Sequence, residues 1–268
     1  MENSALAASA GLISLAFCLL TYDRWLRRRA AHDLAWTIAM ALFALGAGSL
    51  WWAESRGWSA NSFRVFFLTG AILNVPWLGL GTVYLLFGQR IGNAIRTVLV
   101  LLSGVAVGVV LTAPMKRAVD PDVFPTAKEL FGIGPRLFAA LGSAIPALVI
   151  IVGALWSALR IMQHRVPAAT TSARHAAIHP KQLAAGNLLI ALGAIVLSAS
   201  GIIAGRLGKD RAFAITLLVG VSVLFAGFIV ASNAVAVRKE RLRLLIATST
   251  VARSLQQEWL REGVRQPK

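Results

Sequence analysis

The residues that could do chemistry are few and scattered. His175 and His179 lie four apart, a spacing that on a helix puts both imidazoles on one face and could hold a metal ion. Pro180 follows directly, however, and no Cys or carboxylate lies beside them. Two histidines meeting solvent or lipid headgroups is the simpler reading, and no metal or cofactor is expected. No glycine loop precedes a Lys-Ser/Thr pair, and no Gly-x-Ser-x-Gly or paired intramembrane Asp supports hydrolysis. The single cysteine, Cys18, excludes a disulfide within the chain. An enzyme therefore has no constellation to rest on.

What remains is polarity inside apolar runs. Residues 66–87 are long and apolar enough to cross a bilayer, yet hold Asn74, Pro76 and Trp77 near their centre, then Thr82 and Tyr84. Pro76 lacks an N–H and clashes with the carbonyl of Ile72; Pro146, in a later run, does the same at Gly142. Lipid offers those carbonyls nothing, so they must find partners inside the protein. Asn74, Thr82, Tyr84, Ser143, Ser198 and Ser200 are the polar side chains at hand. Two readings follow: a midplane pocket for a neutral or weakly polar ligand, with Trp77 as its stacking wall, or interhelical contacts worth about 1 kcal/mol each. At the end of another run, Glu54 and Arg64 could pair across a mouth, or sit as two solvated interfacial charges.

These residues are positioned by a strongly apolar chain. Of 268 residues 57% are hydrophobic and 14% charged, where soluble domains carry nearer a quarter charged. Seven apolar runs, at about 4–22, 34–53, 63–87, 94–113, 137–161, 183–205 and 213–236, are each long enough for a membrane-crossing helix. The fold class expected is all-α, a polytopic membrane protein of seven transmembrane helices. Residues 1–236 form that domain and 237–268 a basic, amphipathic tail. The first run has no basic segment before it and reads as a retained span rather than a cleaved signal.

The net charge of +16 fits basic loops beside anionic lipid. No helix–turn–helix, finger or RRM pattern accompanies it, and no nucleic-acid partner is expected. Eighteen Lys and Arg fall on one side of the seven runs and nine on the other, which places the N-terminus outside and the C-terminus in the cytoplasm of a cell (plasma) membrane. Within the longest outward loop, Thr126 and Glu129 have capping-box spacing for one turn of helix. The last run, 213–236, contains no lysine, which rules out a retinal Schiff base. No carboxylate lies at depth; Asp23, Asp33 and Glu54 are read as sitting at run ends, so a charge relay has nothing to run on.

The run from Phe63 through Gly70, Asn74, Pro76 and Trp77 to Tyr84 resembles a pattern in uncharacterised seven-transmembrane integral membrane proteins of high-GC Gram-positive bacteria. That resemblance implies a membrane family without a stated activity. In layout the chain is similar to the seven-helix sensor regions that precede bacterial histidine kinases. No kinase follows residue 268, so signalling is expected to need a separate protein partner, reached through the tail. The expectation is thus a sensor, regulatory or accessory subunit. The alternative is a small-molecule transporter or permease with its site between the third, fifth and sixth helices.

Overall fold

The computed structural model describes residues 2–162, 180–204 and 211–232. These residues are helical apart from short connections, with no strand among them. The helices are α1 (Glu2–Arg28), α2 (Ala31–Arg56), α3 (Ala60–Phe66), a π-helical segment (Phe67–Leu73), α4 (Asn74–Thr112), α5 (Ala127–Leu130), α6 (Ile133–Met162), α7 (Pro180–Ala204) and α8 (Arg211–Ser232). Six helical stretches are long and apolar enough to cross a membrane, and the chain is accordingly an integral membrane protein. One of the six, Ala60–Thr112, is 53 residues long and doubles back on itself. Gly88 has φ 83°, a left-handed conformation open to glycine at little cost. Beyond it the Tyr84 hydroxyl donates to Asn93 Oδ1 at 2.9 Å, and Arg64 reaches the carbonyls of Leu111 and Ala113.

α1 and α2 form the first hairpin, and α7 and α8 run antiparallel at a spacing only glycine allows. A Cβ on Gly186 would lie 2.6 Å from the Ala231 nitrogen, and one on Gly193 2.6 Å from that of Leu224. α8 also packs on the first hairpin, with Val221 beside Ala10 and Phe43, and Leu224 and Phe228 beside Phe17 and Met40.

The two prolines meet in a reciprocal joint between α4 and α6. A Cβ on Gly79 would sit 3.0 Å from Pro146 Cβ, and one on Gly142 3.2 Å from the Ile72 carbonyl oxygen and 4.0 Å from the Pro76 ring. Each proline is thus faced by a glycine of its neighbour. The π-helical segment ends just before Pro76, and there the Asn74 N–H bonds the Thr69 carbonyl five residues back. A widened turn beside a residue that cannot continue the ordinary ladder is how a helix accommodates such a break.

The single turn expected after Thr126 is present, but its capping box is not. The Thr126 side chain makes no cap bond, and Glu129 pairs instead with Arg117. A reciprocal box forms where none was expected, between Ser59 and Ser62 at the start of α3. His175, His179 and the tail 237–268 lie outside the described residues.

Candidate functional site

A cavity of about 720 Å³ opens where helices facing one another carry small side chains. α6 contributes Ala139, Ala140, Ser143, Ala144 and Ala147, at helical spacing along one face. Opposite stand Gly70 and Ala71 of the π segment and Ala194 and Ser198 of α7. The connection before α5 covers one end through Phe124, Pro125 and Thr126, and α8 closes a side with Phe213, Leu217, Val221 and Leu224. That covered end is aromatic: Phe66, Phe124 and Phe213 hold their ring centroids 5.5–6.0 Å apart, and Trp58 backs them, 5.3 Å from Phe124.

Asn74 is the polar feature of this space. It is 6% exposed and lines the cavity, yet its Oδ1 has no hydrogen-bond partner among the described residues. An amide oxygen buried without a bond costs about 1–3 kcal/mol, so a partner for it is worth that much. The Ser143 hydroxyl donates to the Ala139 carbonyl at 2.6 Å and that of Ser198 to Ala194 at 2.7 Å. Both keep lone pairs toward neighbours while their protons are committed.

Of the residues singled out in the sequence, Asn74, Ser143 and Ser198 line the cavity, whereas Pro76, Trp77, Thr82, Tyr84 and Pro146 do not. Pro76 and Pro146 belong to the joint just described. Trp77 packs with the clusters around Phe17 and Leu80, on the side of α4 that faces α2. It does not line the cavity, whose rings are those of phenylalanines. Tyr84 bonds Asn93, and the Thr82 methyl meets Gly153 of α6.

Arg64, offered by the sequence as a partner for Glu54, bonds backbone carbonyls. Its guanidinium donates to the carbonyls of Val110, Leu111 (2.7 Å) and Ala113 (2.8 Å), capping the second arm of α4. Glu54 instead borders a smaller space of about 430 Å³, together with Trp58, Pro121 and Asp122.

One charged centre was not foreseen. Asp33, expected at a solvated run end, is wholly buried, with Arg24 Nε at 3.5 Å and His32 Nε2 at 3.6 Å from its Oδ1. Arg24 also donates to the Ser232 hydroxyl of α8 and lies 4.8 Å over the Phe228 ring. One turn away the Thr37 hydroxyl donates to Thr21 Oγ1 at 3.1 Å. The signal was a ladder: Thr21 faces Thr37 and Arg24 faces Asp33, at matched distances from the turn at Arg29. Among the described residues no three His, Cys, Asp or Glu side chains converge on one point.

No protein-family model matches the chain, and no curated protein is significantly similar to it.

Proposed function

We propose that this membrane protein is a sensor or regulatory subunit that binds a small, largely apolar molecule in the cavity beside Asn74. The observation that carries the reading is a space of ligand size between facing helices, walled by small and aromatic side chains and by Asn74. The fold-back at Gly88 supports seven crossings rather than six, because each arm of Ala60–Thr112 is itself long enough to span. The excess of basic residues at the end of the bundle that holds Arg24 supports an external N-terminus and a cytoplasmic tail in a bacterial plasma membrane. The cavity then lies toward the outer leaflet beneath the Phe124 connection. α8, which lines it, leads toward the tail, through which a protein partner would be engaged.

Transport is the second reading. The π segment of the cavity wall and the Gly–Pro joint next to it interrupt the regular α-helical ladder, and such interruptions are where helices bend. Purification into nanodiscs followed by native mass spectrometry tests the common ground. The wild type should retain a small molecule, and Ala71→Phe, which projects a ring into the cavity, should retain less of it. An identical, ligand-free spectrum for both would refute the reading. With the molecule known, uptake into proteoliposomes argues for transport, and a stoichiometric protein partner lost on deleting 240–268 argues for regulation.

A further inference from the structure

We infer that the cavity takes an uncharged, elongated hydrocarbon molecule without a polar head group, lying along the helices with one end among the phenylalanine rings. This rests on reading the cavity as a ligand site. Shape comes first. The lining of α6 runs from Ala139 to Ile150 and that of α8 from Phe213 to Leu224, a step of eleven residues in each case. At 1.5 Å per residue each wall is about 16 Å long, so a volume of about 720 Å³ averages about 45 Å² in section. The space is about twice as long as it is wide and runs parallel to the helices. A straight chain lies in it at full length, whereas a compact molecule meets only part of its walls and buries less apolar area.

Chemistry comes second. None of the lining residues is ionisable, so a charged group would give up its hydration with no counter-ion in return. Ser143 donates to Ala139 and Ser198 to Ala194, each within its own helix. Asn74 is 6% exposed and its Oδ1 is sealed from the space, so only the amide N–H₂ could meet a ligand, over a small area. Apolar contact, not hydrogen bonding, is what the lining offers. The ends follow the same rule. Phe66, Phe124 and Phe213 stand across one, with ring centroids 5.5–6.0 Å apart, and Met40, Ile150 and Leu224 line the other. To lie along the full length, a lipid tail would have to bring its charged head among these side chains.

The test uses the full chain in nanodiscs with two photoreactive probes. One is a diazirine-bearing tetradecane, whose extended chain matches the walls, and the other a phosphatidylcholine carrying the same diazirine on its tail. Labelled peptides are mapped by mass spectrometry. The alkane should label peptides containing Ala71 or Ala144 saturably, at least about tenfold more than the lipid at equal mole fraction. Unlabelled tetradecane should displace it, and adamantane, as apolar but compact, should need at least about tenfold more to do so. Equal labelling by the lipid overturns the exclusion of a head group, and equal displacement by adamantane overturns the elongated shape; both leave the cavity a binding site. No saturable labelling of a protein that still retains a small molecule in native mass spectrometry overturns this inference alone. No labelling and no retained molecule overturn the cavity reading and this inference with it.

Discussion

Removing Arg24 alone should cost more stability than removing Arg24 and Asp33 together. Asp33 is 0% exposed and neither of its oxygens accepts a hydrogen bond among the described residues, so its charge is balanced through space. At 3.5 Å and an effective dielectric of about 20, attraction to Arg24 amounts to roughly 5 kcal/mol. Arg24→Met leaves the carboxylate buried without that partner, and the expected loss is about 3–5 kcal/mol. Asp33→Leu is gentler. The remaining guanidinium keeps the Ser232 hydroxyl and the Phe228 ring, and its side chain is 18% exposed, so about 2 kcal/mol is expected. The double variant carries neither charge and replaces them with side chains that suit an apolar site. It should lie within about 1 kcal/mol of the wild type, giving a coupling energy of at least about 3 kcal/mol.

The assay is unfolding by sodium dodecyl sulfate in mixed micelles, followed by tryptophan fluorescence, on all four proteins. Additive losses, with coupling below about 1 kcal/mol, would refute the claim that the pair is balanced internally. So would an Arg24→Met protein as stable as the wild type.

Two further predictions concern the fold-back. Gly88→Ala meets open space but keeps a φ of 83°, so it should cost only the backbone strain, about 1–2 kcal/mol, read as a drop of a few degrees in the melting temperature. Arg64→Met strips three carbonyls of their donor, and hydrogen exchange in α4 just before residue 113 should quicken at least tenfold while α7 stays protected.

Much of the architecture could be read from the sequence because apolar length is a local property. Each run needs only its own residues to declare itself, and six long apolar helical stretches fall on the seven runs, the third and fourth runs lying together in Ala60–Thr112. The helices overrun the runs wherever a polar turn continues the ladder, as at Arg90 to Asn93 and Tyr22 to Arg28. Hydropathy ends there while hydrogen bonding does not. Asn74 was legible for the same local reason, as an amide amid apolar neighbours.

Trp77 shows where local reading stops. Three residues along a helix of 3.6 per turn is a rotation of about 300°, so Trp77 stands about 60° round from Asn74. Phe67, Ala71, Asn74 and Leu78 share the face that lines the cavity, whereas Trp77, Leu80 and Tyr84 turn to α2. Which of the two faces meets a cavity depends on what stands opposite. The cavity exists because Ala140, Ser143, Ala144 and Ala147 of α6 come level with Gly70 and Ala71, and with Ala194 and Ser198 of α7. That register is set by the Gly79–Pro146 and Gly142–Pro76 contacts, not by any one helix. The prolines therefore act on the site without lining it: shifting the joint would slide the small residues out of level and narrow the space beside Asn74. Asp33 was missed by the same logic in reverse. Its position at a run end says nothing of neighbours, but the hairpin lays it against Arg24, and Arg24 is held in turn by Ser232 and Phe228 of α8, a helix that begins 178 residues later in the chain.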